Sequence, residues 1–295
     1  MTICIAAVCQ THDGNPTIIL CSDHRIENEY YGGEVAWKIQ LAGGGWCALI
    51  AGEMGKAKQL ITACHACLDA PSFMDEPDTI FDELKKCAQQ QRRVLVNDFV
   101  ESKLSISYEE FLAIGSERLP EDVYRQLLWD IQTLTLGCEI ILAGFVDQVP
   151  YLFLIDNSGI VTERAGFAAI GAGAVVAEGA LFQRRYATWL LGGEAMYYVY
   201  EAKRLSEIAP GVGIKTAMAV VQPGADGPTM LHIGDGGVRF LEKQYAKFGL
   251  KRYEIPKRVP GRAFWYGNGA VFNLTDKRDL KLTKPDPKAL RPSQE

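Results

Sequence analysis

The stretch Thr2-Ile-Cys-Ile-Ala-Ala-Val-Cys9 decides how the rest of the chain is read. It is an apolar run headed by a threonine directly behind Met1, and its branched, hydrophobic content predicts a buried β-strand. Removal of Met1 would leave Thr2 with a hydroxyl beside its own free α-amine, a nucleophile and a base in one residue. A retained Met1 would turn that amine into an amide and block the chemistry. Many chains begin Met-Thr, so the weight of Thr2 depends on what stands downstream.

Outward from that run, Asp13-Gly-Asn-Pro16 is a strong turn signal. It predicts a hairpin between residues 2–9 and a second apolar strand over 17–23. A short strand over 35–41, the Gly43-Gly-Gly45 turn and an apolar strand over 46–51 follow. Helical spacing begins at Lys56, with Ala57, Leu60, Ile61, Cys64 and Leu68 on one side. A second helix is predicted from Asp78 into the low hundreds. Ser107-Tyr-Glu-Glu110 has the form of a capping box, and Pro120-Glu-Asp122 places a proline and two acids where a helix N-terminus favours them.

Strands return over 139–146, 151–155, 160–164 and 167–170, the middle pair joined by the Asp156-Asn-Ser-Gly159 turn. Helices over 175–191 and 194–208 and strands over 215–221 and 229–233 complete the pattern. Blocks of strands and helices, rather than strict β–α alternation, predict antiparallel sheets with helices packed outside them, an α+β layered sandwich. From about residue 241 the chain turns Lys-, Arg- and Pro-rich, and an irregular tail is expected over 281–295. The expected organisation is one domain over 1–240, with a helical expansion at about 68–138, and an extension over 241–295.

A chain of 295 residues, 48% hydrophobic and 23% charged, is long enough for a substantial core. The formal net charge of -5 gives no reason to expect nucleic-acid binding, and the basic pairs Lys251-Arg252 and Lys257-Arg258 read as a solvated face. No apolar run reaches the roughly 18 residues of a membrane span, and no basic segment precedes the first apolar stretch. The expected location is cytoplasmic. The eight cysteines lie mostly in apolar segments and read as reduced, small hydrophobes. Cys64-His-Ala-Cys67 lacks a second pair at zinc spacing, so two cysteines on one helix face is the better account, and no metal is expected.

Three features align with Thr2. Asp23 closes the second strand in Cys-Ser-Asp-His-Arg25, Lys38 is a cation within the apolar Val35-Ala-Trp-Lys-Ile39, and Gly52 ends Ala-Leu-Ile-Ala-Gly52 just before a helix. Each is common alone. In this order after an N-terminal threonine, the chain resembles the proteasome β-subunits and their bacterial relatives, within the N-terminal-nucleophile hydrolases. The similarity resumes at Ala143-Gly144, Tyr151-Leu-Phe-Leu-Ile-Asp156, Gly159, Ile170-Gly-Ala-Gly173 and Glu178-Gly179. It spans most of residues 2–234; the 68–138 region is expanded relative to the family and 240–295 is foreign to it.

The resemblance implies a four-layer αββα sandwich and a threonine peptidase or amidase without a cofactor. Thr2 Oγ would attack an amide carbonyl while its own amine takes the proton. Lys38 would favour deprotonation of that amine and hydroxyl. Asp23 would hold Lys38, and the Gly52 N–H would donate to the oxyanion. It implies Ile26, Ala36, Ile50 and Met54 beside the nucleophile, either as an apolar substrate pocket or as ordinary core. The partners implied are a peptide or protein substrate and copies of the chain in a ring or spiral homo-oligomer; an ATPase partner stays open.

Two positions depart from the family. Ala174 stands where a serine contacts the terminal amine. Glu207-Ile-Ala-Pro210-Gly211 supplies Glu207 and Pro210 in place of an aspartate and a serine, with Ser206 the nearby hydroxyl. The alternative is therefore a catalytically inactive structural or binding subunit on the same fold. Nucleophilic chemistry at Cys4 or Cys9 would require processing inside a strand.

Overall fold

β1 (Cys4–Gln10) and β2 (Pro16–Asp23) form the hairpin expected around residues 13–16, in antiparallel register from Cys4↔Ser22 to Gln10↔Pro16. Cys4, Ala6 and Val8 enter one hydrophobic core, whereas Ile3, Ile5, Ala7 and Cys9 enter another. Burial on both faces explains why this segment reads as continuous apolar sequence instead of alternating. The computed structural model describes residues 2–27, 32–34, 37–69, 76–224, 227–249, 264–266 and 270–272.

Two five-stranded antiparallel sheets organise these residues. The first adds β10 (Phe167–Ile170), β11 (Thr216–Gln222) and β12 (Thr229–His232) to the hairpin, in the order β10-β1-β2-β11-β12. The second runs β5-β6-β7-β8-β9, from β5 (Ile39–Gly43), β6 (Trp46–Gly52), β7 (Cys138–Val146), β8 (Val149–Ile155) and β9 (Val161–Glu163). A small separate pair, β3 (Arg25–Glu27) with β4 (Gly32–Glu34), follows the hairpin in the chain, where no strand was expected.

The cores define the layers. Cys4, Leu20, Leu49, Ile141 and Leu152 meet in one cluster that joins the inner faces of the two sheets. The outer face of the second sheet packs through Ile50, Ile140 and Phe153 on α1 (Met54–Leu68) and the first half of α2 (Pro77–Leu104). The outer face of the first sheet packs through Ile5, Ile19 and Met218 on α5 (Ala174–Gln183), α6 (Gly192–Ser206) and α7 (Asp235–Phe248). The result is a mixed α+β sandwich of antiparallel sheets with helices outside, as the pattern of blocks predicts.

α2 divides its labour along its length. Ile80, Leu84 and Ala88 face the sheet, but Val96 and Val100 join Phe111, Leu127 and Ile131 in a satellite core with α3 (Tyr108–Arg118) and α4 (Glu121–Thr133). The Ser107 hydroxyl accepts the Glu110 N–H at 3.1 Å, so the predicted cap forms. Arg92 ties this expansion to the second sheet: Nη1 donates to the carbonyls of Leu134 at 2.7 Å and Ser158 at 3.4 Å, and Nη2 to that of Gln132 at 3.5 Å. Arg92→Ala is expected to destabilise the chain by ~1.5–3 kcal/mol, because hydrogen bonds from a charged donor are lost. A urea midpoint unchanged from wild type would contradict that role.

Two boundaries differ from the expected ones. The helix predicted over 175–191 stops at Gln183, because Arg185 adopts φ 53° and the Tyr186 N–H bonds back to the Leu181 carbonyl at 3.0 Å, a Schellman-type ending. The regular domain also outruns residue 240. Val238, Leu241 and Tyr245 form a helical stripe against the first sheet's outer core, and the chain divides into Met1–Lys247 and Phe248–Glu295. In the second unit β13 (Phe264–Tyr266) pairs with β14 (Ala270–Phe272). The tail expected over 281–295 lies outside the described residues. Among the described residues no helix is long and apolar enough to cross a membrane.

Candidate active site

Thr2 precedes β1, Asp23 ends β2, and Lys38 immediately precedes β5, not inside a strand as its apolar neighbours suggested. The first two therefore come from one sheet and the third from the other, and closure of the sandwich brings them together. The Thr2 hydroxyl donates to Asp23 Oδ1 and accepts from the Lys38 ammonium, and Lys38 Nζ lies 2.6 Å from Asp23 Oδ1. All three are buried, Asp23 completely.

A buried carboxylate and ammonium are tolerated only when paired and supplied with hydrogen bonds. Asp23 meets that condition. Oδ1 also accepts the Ile3 N–H at 3.2 Å, and Oδ2 accepts the Gly213 N–H at 2.7 Å and the Arg25 N–H at 3.4 Å. The Gly213 loop lies 190 residues further along the chain than Asp23, and its neighbours are held by Glu34, which accepts from the Ile214 and Lys215 N–H groups at 2.7 and 2.9 Å. Asp23 is thus the hub of the constellation.

Thr2 opens onto a cleft of about 380 Å³. One wall is the end of β6, Ala51 and Gly52; the other is Gly171 and Ala172; Gly137, Cys138, Glu139 and Asn157 complete it. Gly52 holds φ +93°, and a Cβ there would stand 2.5 Å from the Gly137 carbonyl oxygen, so the position admits glycine alone. Gly171 holds φ +91°, and a Cβ there would stand 2.5 Å from the Thr2 carbonyl oxygen. That oxygen accepts the Gly173 N–H at 3.3 Å. The Gly-Ala-Gly turn therefore clamps the backbone of Thr2.

Not every expected site residue joins this group. Glu207 does not take the place of the family aspartate: its carboxylate binds Lys203 Nζ at 2.6 Å and lies 3.4 Å from Arg204 Nη1, and Lys203 in turn reaches the Ile214 carbonyl at 2.8 Å. It braces the loop that carries Gly213. The Ser206 hydroxyl is spent on the Ala202 carbonyl at 2.7 Å, as is common for serine inside a helix. Ala174 opens α5 directly behind the clamp.

The expected pocket is also redistributed. Ile50 is 1% exposed and packs beneath α1, so it is core and not cleft lining, because residues alternate across β6 and its neighbours Ala51 and Leu49 face the other sheet. Met54 packs against the same core. The side chain of Ile26, and Ala36 entirely, lie outside the described residues.

Cys4, Cys9 and Cys21 sit in surroundings that disfavour a thiolate. Burial raises the Cys4 thiol well above its ordinary value, and its Sγ donates to the Ile50 carbonyl at 3.2 Å. Burial likewise pushes Cys21 up to about 12 and Cys9 to about 11. A thiol held protonated is a poor nucleophile, which weighs against the cysteine alternative. Cys64 is core; the side chain of Cys67 lies outside the described residues.

Glu139, Asn157 and Gly213 were not signalled as site residues. Glu139 carried a usable sign, a charge at the head of the apolar strand 139–146, the same kind of anomaly that marks Lys38. Asn157 and Gly213 act through a turn and a backbone N–H, which leave no distinctive pattern. No model of a known protein family matches the chain, and no match was found among proteins of curated function.

Proposed function

We propose that the protein is a threonine-type N-terminal-nucleophile hydrolase of proteasome-like fold that cleaves amide bonds in peptides or proteins after Met1 is removed. The observation that carries the reading is the convergence of Thr2 Oγ, Lys38 Nζ and Asp23 Oδ1 from three separate strand ends, at the edge of an open cleft. A buried ammonium against a hydroxyl favours the oxygen's developing negative charge.

In the reaction, Thr2 Oγ forms a bond to the amide carbon while its proton passes to the free α-amine. Collapse of the tetrahedral adduct breaks the C–N bond, and the leaving amine takes that proton. Water then attacks the ester, releasing the acid and restoring the hydroxyl. Gly52, on the cleft wall, is the proposed oxyanion donor through its backbone N–H. No cofactor enters these steps.

Assembly into a ring or spiral homo-oligomer belongs to the same proposal. Val175, Phe182 and Trp189 support it, since they stay largely exposed on and just after α5. A second reading, an inactive structural or binding subunit, is favoured by the engagement of Glu207 with Lys203 and by the absence of a side-chain hydroxyl at Ala174.

Intact mass and a threonine-directed electrophile separate the two readings. The expected result is a chain lighter by one methionine that gains one equivalent of a peptide epoxyketone, located at Thr2 and absent from Thr2→Ala. A protein that keeps Met1 and is not modified would place it with the inactive subunits.

A further inference from the structure

The inference concerns which substrates enter the cleft, and it rests on the hydrolase reading above. The lining beside Thr2 is mostly backbone and methyl groups, from Ala51, Gly52, Gly137, Gly171 and Ala172. The Asn157 side-chain oxygen is already taken by the Gly137 N–H at 2.7 Å. Glu139 is the charged residue of the lining among the described residues, and it is half-buried.

Among the described residues no cation pairs with that carboxylate. Lys38 is neutralised by Asp23 at 2.6 Å, and Lys56, which lies beside Gly137, is paired with Glu53 at 2.9 Å. Glu139 Oε2 accepts the Gly171 N–H at 2.8 Å, so the carboxylate is fixed in orientation by the same turn that clamps Thr2. A carboxylate anchored by one oxygen on the wall of a cleft lined by small residues is a preorganised receptor for a cation.

We propose that Glu139 is a specificity-determining residue that selects substrates carrying an ammonium or guanidinium group close to the scissile amide, and disfavours acidic ones. A charge contact at a half-exposed site sets an expected preference of up to about fivefold in kcat/KM.

The test compares three fluorogenic peptides that differ at the residue before the cleaved bond: arginine, norleucine or glutamate. Each is assayed on the full chain and on Glu139→Gln, which removes the charge but keeps an acceptor for the Gly171 N–H. The same sequences, as non-hydrolysed labelled peptides, are titrated against Thr2→Ala and Thr2→Ala/Glu139→Gln by fluorescence anisotropy. Wild type should rank arginine above norleucine above glutamate, and Glu139→Gln should bring the three within about twofold. Turnover that is blind to charge, or a loss shared equally by all three peptides in Glu139→Gln, overturns the inference and leaves the hydrolase reading intact. If wild type is inert, the binding titrations decide. A Glu139-dependent preference for the arginine peptide keeps the inference while the hydrolase reading falls, and charge-blind binding ends both.

Discussion

Lys38→Met should abolish amide turnover, lowering it by ~10²–10³ or more, the range seen when one preorganised electrostatic donor is removed from a catalytic site. The methionine stem fills nearly the space of the lysine, so the variant retains the packing near β5 and loses the ammonium that contacts Thr2 Oγ and Asp23. The removal also leaves Asp23, which is fully buried, without its counter-charge. Breaking a buried pair from one side costs ~3–5 kcal/mol. For a domain of this size that corresponds to a fall in melting temperature of about 10 °C. Turnover and thermal melting are measured side by side. Full turnover would rule out the proposed mechanism. Normal melting would mean that the Asp23–Lys38 pair contributes nothing to stability.

Asp23→Ala should be the more damaging change to the fold. The carboxylate receives the Thr2 hydroxyl, the Lys38 ammonium and the N–H groups of Ile3, Arg25 and Gly213, so its loss leaves buried donors from both sheets and from the 213 loop unsatisfied. One unpaired buried charge costs ~3–5 kcal/mol, and each orphaned N–H adds about 1–3 kcal/mol. The sum approaches the ~5–15 kcal/mol total stability of a domain. The expected result is little folded protein in the soluble fraction. Asp23→Asn keeps the shape and one acceptor oxygen and should recover folding in part, without turnover. Soluble yield and circular dichroism of the two variants check this. An Asp23→Ala protein that folds and melts like wild type would show that the hub described here is not needed.

The two substitutions act on different links of one chain of causes. In the proposed mechanism Lys38 serves the chemistry at Thr2. Asp23 holds Lys38, contacts the Thr2 hydroxyl itself and ties the 213 loop to both. A mutant series that separates turnover from melting reads these links independently.

Much of this was legible in the chain. The Asp13-Gly-Asn-Pro16 turn and the apolar runs around it determine the first hairpin, because turn chemistry and burial act over a few residues. Ser107 and Glu110 similarly determine where α3 begins. Thr2, Asp23, Lys38 and Gly52 were visible as residues out of keeping with their surroundings, or placed at strand ends. Other positions needed the fold. Ile50 was open between pocket lining and core; the two-residue period of β6 turns it away from the cleft, and that phase is set only when β6 pairs with β7, Ile50 opposite Ile140. Glu207 looked like a catalytic acid until the fold supplied Lys203 one helical turn away and the Ile214 carbonyl beyond it.

By itself, then, the sequence determined most of the order of strands and helices and the first hairpin, which follow from periodicity and turn residues; the nucleophile candidate and its two charged companions stood out only through their order, as a resemblance to a known family. Tertiary structure decided how that expected meeting is made, with Lys38 reaching from the second sheet to Thr2 and Asp23 of the first, and it alone decided that a turn at 171–173 clamps Thr2 and that Glu139 lines the same cleft. Those are contacts between residues 15 to 171 positions apart, made by the packing of two sheets whose faces share one core, and no local pattern fixes their geometry.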